Sequence, residues 1–366
     1  MKIKSPQLKI LADIGQAAQK AGLKAWAVGG FVRDNYLGKE TFDIDICVEG
    51  NTKPLLDFCV KKYGAKITVF NDFGTARAVL KNGLKLDFVI CRREVYDKPA
   101  ALPSVTPGNL ADDLFRRDFT ANAWARSILP GNFWQSFDLF EAQNSIDKKL
   151  VKILHDKSFI DDPTRAFRAL RFAARFNWRL ETCTASLLKS AAKEKLPGLL
   201  SRERIRQELL KILEEKNPAP VFKLLGKYGL TSFIFPGLKC PPAVSKISGV
   251  QARLALFALA QKENGEAFLK SLHLERPLFN FCAQICAFMQ NKQALLKPLD
   301  KEQQKIIKLH APKLPPTALC PLVITGGDLQ KAGLRGPAIS AALNKISRAQ
   351  YAGKIKTKAQ AVKNIL

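Results

Sequence analysis

The chain has 366 residues, 47% of them apolar, and carries 59 lysines and arginines against 32 acidic residues, a formal charge of +27. That length and apolar content allow about two to three domains with proper cores, and an excess this large points to a polyanionic partner, because neutralising phosphates releases counterions. No apolar run is long enough to cross a bilayer and MKIKSPQLKI lacks the apolar core of a signal peptide, so the expectation is a cytoplasmic protein with no membrane partner.

In chain order, Ser5-Pro6 reads as the cap and first residue of a helix, with Leu8, Leu11 and Ile14 at helical spacing toward Gly22. Residues 25–28 make a short strand ending in Gly29-Gly30, and Phe31 to Leu37 a short helix stopped by Gly38. Residues 43–48 alternate polar and apolar, the strand period. Residues 65–70 and 75–81 read as further strands, and Asn82-Gly83 predicts a type I′ hairpin into LKLDFVI. Beyond Asp147 helical periods take over at 162–176, 184–195, 201–215, 250–260, 278–290 and 336–348, broken by proline-rich stretches. The last 66 residues hold 12 basic against 2 acidic side chains; they read either as a tail that tracks phosphates or as a solvated lysine-rich face. The eight cysteines contain no CxxC pair. Cys282 and Cys286 share a helix face without a nearby histidine, so reduced core thiols in a reducing compartment are the reading.

Three constellations carry chemistry. The first is GGFVRD followed by DID. Gly29 and Gly30 let the backbone approach a phosphate, the following helix offers N–H donors, and Arg33 can neutralise triphosphate charge. Asp43 and Asp45, two apart on a strand, project from one face. Carboxylates so placed beside a phosphate cradle are what a pair of Mg²⁺ ions requires. Asp87 after the hairpin reads either as a third carboxylate on an adjacent strand or as an exposed strand residue.

The second is RRDFTANA, read as helical. Asp118 and Asn122 then lie four apart on one face while Phe119 and Ala123 pack inward. Asp118 can accept from a ribose hydroxyl and Arg116 and Arg117 can meet phosphates; a surface helix start with Asp118 near the N-terminal dipole is the competing reading. The third is DDPTR. Asp followed by Pro is an ordinary helix start. Yet Asp162 and Arg165 share a face, and Arg168, Arg171 and Arg175 continue as a stripe. A carboxylate acceptor beside a guanidinium donor can imitate a complementary base edge, and so select ATP or CTP without a template.

These segments, in this order and together with YDKPAALPSVTPGNLADDLF, resemble the class II tRNA nucleotidyltransferase and bacterial poly(A) polymerase family, within the DNA polymerase beta superfamily. The resemblance covers residues 26 to about 180 almost continuously; PLVITGGDLQKAGLRGPAIS looks like the end region of some members, and 220–310 resembles nothing named. It implies an α+β fold. A mixed-sheet nucleotidyltransferase head (1–146) would be followed by an all-helical neck (147–218), body (219–310) and basic tail (311–366). It further implies Asp43 and Asp45 as Mg²⁺ carboxylates, Gly29, Gly30 and Arg33 on the triphosphate, and Arg117 with Asp118, joined by Asn122, on the ribose. Asp162, Arg165 and Arg168 would read the incoming base, and tRNA would lie along the neck and tail.

Two positions depart from the family pattern. Asp161 replaces a usual glutamate. Where the pattern runs Asp-Pro-Phe-Gly-Gly, this chain reads Asp138-Leu139-Phe140-Glu141-Ala142, which should stiffen a segment that has to move between C and A addition. SFIDDPTRAFRALRF is also closer to members that add only the terminal A and work with a separate CC-adding enzyme. The expectation is therefore addition of the terminal A, or of all of CCA, to tRNA from ATP and CTP with release of pyrophosphate. A poly(A) polymerase on RNA 3′ ends is the alternative, and a non-catalytic RNA-binding protein the remote one.

Overall fold

A computed structural model describes residues 5–69, 75–294 and 299–364. The chain divides into two compact units, Met1–Leu200 and Ser201–Leu366. In the first, α1 (Ser5–Lys20) leads into β1 (Lys24–Val28), α2 (Gly30–Tyr36), β2 (Asp43–Glu49), α3 (Lys53–Tyr63) and β3 (Lys66–Val69). Phe70, the last residue of the expected strand, lies outside the described residues. Then come β4 (Ala76–Val79), β5 (Lys85–Ile90), the ribbon of β6 (Arg92–Val95) and β7 (Ser104–Pro107), and α4 (Leu110–Phe115). The unit ends with β8 (Ala125–Ser127), β9 (Ser136–Phe137), α5 (Ala142–Asp147), β10 (Leu150–Val151), α6 (Ser158–Asp161), α7 (Thr164–Phe176), β11 (Arg179–Leu180) and α8 (Thr182–Lys193).

One mixed sheet organises this unit, in the order β3-β4-β5-β2-β1-β8-β9. Strand β2 runs antiparallel to β1 and parallel to β5, in a register that sets Asp43 beside Lys85 and Asp45 beside Asp87. β1 is central, so Ala25 to Val28 are buried. The alternation of β2 buries Ile44 and Ile46 on one face and leaves Asp43 and Asp45 on the other.

Two local expectations are corrected. The β4–β5 connection is not a type I′ turn: only Gly83, at φ 83, is left-handed, and Leu80 and Gly83 close a three-residue loop by Leu80 N–H to Leu84 O and Gly83 N–H to Leu80 O, both 2.9 Å. That is the geometry of a hairpin with one left-handed glycine. The RRDFTANA segment is not an α-helix either. α4 ends at Phe115, and Phe119 is extended, fully buried and bridged to Ile153, so only Thr120–Asn122 form a short 3₁₀ turn.

The second unit is helical: α9 (Arg202–Glu214), α10 (Ala219–Lys227), α11 (Thr231–Ile234), α12 (Val250–Ala260), α13 (Gly265–Ser271), α14 (Arg276–Asn291), α15 (Lys301–His310), α16 (Gly326–Lys331), α17 (Pro337–Tyr351) and α18 (Lys358–Lys363). α12 is apolar on most sides, its buried Arg253 spending its donors on the carbonyls of Ile247, Leu213 and Glu215, and α9, α13, α14 and α15 pack about it. Residues of α16 to α18 close a small core of their own around Ile324, Leu329 and Ile346. All eight cysteines are free; Cys47, Cys59, Cys91, Cys282 and Cys286 are buried as expected, whereas Cys183, Cys240 and Cys320 are exposed. Among the described residues no helix is long and apolar enough to cross a membrane.

Candidate functional site

The bend between β1 and α2 starts the site. Gly29 adopts φ 69, ψ −130, a conformation that only glycine enters without strain, and its N–H is held by Trp124 O at 2.9 Å. A Cβ here would stand 2.5 Å from Arg117 Nη1 and 3.6 Å from Asp45 Oδ2. The bend, the strand carboxylate and Arg117 are therefore packed against one another.

Asp45 is half-buried. Burial pushes its carboxyl above the usual range; Arg117 opposes this, while Asp87 and Asp43 add to it. Asp43 is exposed, with Lys85 Nζ 3.6 Å away. Asp87 lies beside Asp45 on the adjacent strand, one of the two readings the sequence left open, but Arg77 grips both its oxygens at 2.7 Å. Among the described residues no cluster of three His, Cys, Asp or Glu side chains could hold a metal ion.

A cleft of about 500 Å³ opens here. Its walls include Gly30, Arg33, Asp45, Arg117, Asp118, Asn122, Asp162, Arg165 and Arg168. Of the residues singled out from sequence, Gly29, Asp43 and Asp87 do not line it; Gly29 supports it from behind through Arg117.

Asp118 and Asn122 do meet, through the turn rather than along a helix: Asn122 Nδ2 donates to Asp118 Oδ1 at 2.8 Å. Arg168 Nε and Nη2 donate to Asp118 Oδ2 at 3.0 and 2.5 Å. Burial pushes the Asp118 carboxyl up, but Arg168, Asn122 and Arg165 more than offset it and hold it below its ordinary range. Arg33 is buried. Its Nη1 donates to Asn122 Oδ1, its Nε to Asp34 at 2.9 Å, and its guanidinium stacks over Phe172 and Phe176 at 5.2 and 4.7 Å.

At the α6–α7 break Asp162 does what a residue before proline does at a helix start, accepting from Thr164 N–H at 3.0 Å and Thr164 Oγ1 at 2.6 Å, and it also faces the cleft. Arg165 is buried, its Nη1 donating to Ser158 Oγ at 2.9 Å and its Nη2 to the Arg116 carbonyl at 2.7 Å. The arginine stripe divides: Arg165 and Arg168 line the cleft, whereas Arg171 is buried away from it and Arg175 is exposed.

Sequence reasoning missed Asp113, Glu94 and Tyr96. Asp113 is completely buried and pairs with both Arg116 and Arg117. Its spacing of three and four residues before those arginines was the available signal. Glu94 and Tyr96 reach the cleft wall from β6 and the residue after it, which no local pattern announced.

Residues 25–152 match the family described as "Poly A polymerase head domain", and 185–240 the one described as "Probable RNA and SrmB- binding site of polymerase A". The chain is 38% identical over 237 residues to the A-adding tRNA nucleotidyltransferase of Geobacter sulfurreducens, covering 65% of this chain and 27% of that protein. It is 41% identical over 218 residues to the enzyme of the same description from Aquifex aeolicus, covering 59% and 26%. The match thus spans about a quarter of the length of these relatives. The Thermotoga maritima CCA-adding enzyme complexed with tRNA superposes with a TM-score of 0.67 at 26% identity, covering 99% of this chain and 95% of that one. With the head, the cleft and these likenesses in agreement, residues 25–152 are a head domain of the poly(A) polymerase kind, and the chain is similar to A-adding and CCA-adding tRNA nucleotidyltransferases.

Proposed function

We propose that this protein adds nucleotides to the 3′ end of tRNA without a nucleic-acid template, taking ATP for the terminal A, or CTP and ATP for all of CCA. The observation that carries the reading is the single cleft. It sets Asp45 and the glycine bend beside Arg117, and Asp118, Asp162, Arg165 and Arg168 on the same walls. The two relatives described as A-adding favour the terminal A, with a separate enzyme supplying CC.

Asp45 suits a divalent cation: burial and the neighbouring acids Asp87 and Asp43 raise its carboxyl against the opposing charge of Arg117. A hard cation with oxygen ligands answers that excess of negative charge, and two protein carboxylates suffice for Mg²⁺, which keeps waters and substrate oxygens. Asp43 and Asp45 would hold it; when bound it would lower the pKa of a hydroxyl and neutralise phosphate charge.

In the reaction the tRNA 3′-oxygen bonds to the α-phosphorus, the bond to pyrophosphate breaks, and the hydroxyl proton is lost to solvent. This chain's own groups mainly position and stabilise charge. Gly30 leaves space for phosphates, Gly29 makes room for Arg117, which adds positive field at the bend, and Asp118 accepts from the ribose. Asp162 and Arg165 present an acceptor and a donor toward the base edge. Arg33 lines the cleft, where it can add positive charge toward the triphosphate, and it also holds Asn122 and thereby Asp118. We keep the division into head, neck, body and tail, with RNA along the basic tail, and a cytoplasmic setting in keeping with eight free thiols.

The experiment offers the purified protein tRNAs ending at the discriminator base, after the first C, after the second C and complete, with each nucleoside triphosphate separately. A added only to the CC-ended species is expected; C on the shorter ones would shift the assignment to full CCA synthesis. Long homopolymer tails on unrelated RNA would favour a poly(A) polymerase. No incorporation with RNA binding kept would leave a binding protein.

A further inference from the structure

The charged groups beneath the cleft converge on one side chain that has been given no role. Asp113, on the buried face of α4, is completely shielded from solvent. Its Oδ1 accepts from Arg116 Nε at 2.9 Å and Nη2 at 2.6 Å, and its Oδ2 from Arg117 Nη2 at 2.9 Å. Asp112, next to it, is occupied as the capping-box partner of Asn109, so the two adjacent acids divide the work.

Each arginine leads on to a different part of the cleft. Arg117 lies against the Gly29 bend, where a Cβ would touch its Nη1, and it is the cation that opposes the burial of Asp45. Its Nε is buried without a hydrogen-bond partner among the described residues. The Arg117 guanidinium is thus set by the Asp113 pair at the expense of one of its own hydrogen bonds. Arg116 presents its carbonyl to Arg165 Nη2 at 2.7 Å and its own Nη1 to Glu94 at 3.3 Å. Arg165 is the donor proposed to read the base.

We infer that Asp113 is a positioning residue for the nucleotide, fixing Arg117 at the glycine bend and, through Arg116, the anchor of Arg165. This rests on the nucleotide-binding reading of the cleft. A carboxylate is required because two guanidinium groups must be satisfied through two separate oxygens, and an amide offers only one acceptor. Remote groups that orient binding side chains in this way typically change affinity or activity by about 10- to 100-fold when removed.

The test measures equilibrium binding of ATP and thermal stability for the unaltered protein, Asp113→Asn, Arg117→Gln and the double variant. Asp113→Asn is expected to weaken ATP binding about tenfold or more. The double variant should bind no more weakly than Arg117→Gln combined with the smaller, Arg116-borne share of that loss, because part of the effect of Asp113 passes through Arg117. A merely structural role would lower Tm and leave the ATP affinity of the folded protein unchanged, which would overturn the inference; so would losses that simply multiply. If Asp113→Asn does not fold, Asp113→Glu takes its place. It keeps the charge but displaces the carboxylate from one arginine or both, and ATP affinity is again expected to fall, unchanged affinity again overturning the inference. An unaltered protein that binds no ATP would defeat the reading of the cleft itself, a result distinct from equal binding by unaltered and altered proteins.

Discussion

Arg168 sends two donors, Nε at 3.0 Å and Nη2 at 2.5 Å, onto the same Asp118 oxygen across 50 residues of sequence. This tie holds α7 to the segment that follows α4. Asp118→Asn would take away the carboxylate oxygen that accepts both of these donors and should cost about 2–3 kcal/mol at neutral pH. Because folding holds this carboxyl low, its contribution is complete above the unfolded value of about 3.9 and drains away as pH falls toward the folded one. Chemical denaturation at several pH values checks this: the gap between the unaltered and Asn proteins should close as pH drops below about 4.

For Asp45 the sign is opposite. Its carboxyl is raised in the folded chain, so ionising it opposes folding, and stability is lost as pH rises from the unfolded value through the folded one. Asp45→Asn should therefore raise stability at pH 7 by on the order of 0.5–1 kcal/mol while abolishing nucleotide addition. A melting curve without added metal, paired with an incorporation assay, reads both effects. A lower Tm for the variant would contradict the electrostatic account.

Gly29→Ala tests the bend. At φ 69, ψ −130 an alanine is strained by about 1–3 kcal/mol, and its Cβ would displace Arg117. Lower Tm and weaker ATP binding should appear together. Gly131, which has open space around it, serves as the control, and its alanine variant should match the unaltered protein in ATP binding.

Glu141 sits at φ 56, ψ 41 at the start of α5, where the family pattern has glycine, and Asp138 covers the next two N–H groups, those of Ala142 at 2.6 Å and Gln143 at 3.0 Å. Glu141→Gly relieves left-handed strain and should stabilise the protein by about 0.5–1 kcal/mol. The ion pair it forfeits, with Lys152 at 3.5 Å, is exposed and contributes little. Differential scanning calorimetry checks the sign.

The fold of the first unit was readable because its signals are local. DIDICV alternates with period two, GG closes a strand, and Asp-Pro opens a helix. The site residues were readable for the same reason, as contiguous motifs. What escaped is set by contacts distant in sequence. Phe119 is extended because Ile153 bridges it, against the helical spacing of its own segment. Arg33 lines the cleft, but its stacking against Phe172 and Phe176 of α7 was not visible in its own segment. Glu94 reaches the cleft held by Arg92, Tyr96 and Arg116, the last of them 22 residues away in sequence. Asn82 predicted the turn correctly but not its type, since one extra loop residue is invisible to a dipeptide pattern.

The cleft walls run from Val28 to Phe172 in sequence, drawn from strands, turns and helices spread over most of the first unit. A nascent chain leaving the ribosome therefore carries the wall around Gly30 and Asp45 long before the wall around Arg168 and Phe172. Until the residues around Phe172 have emerged it holds half a pocket, with Arg33 unshielded and Asp118 lacking Arg168. The cleft is complete only when the whole stretch from Val28 to Phe172 has emerged.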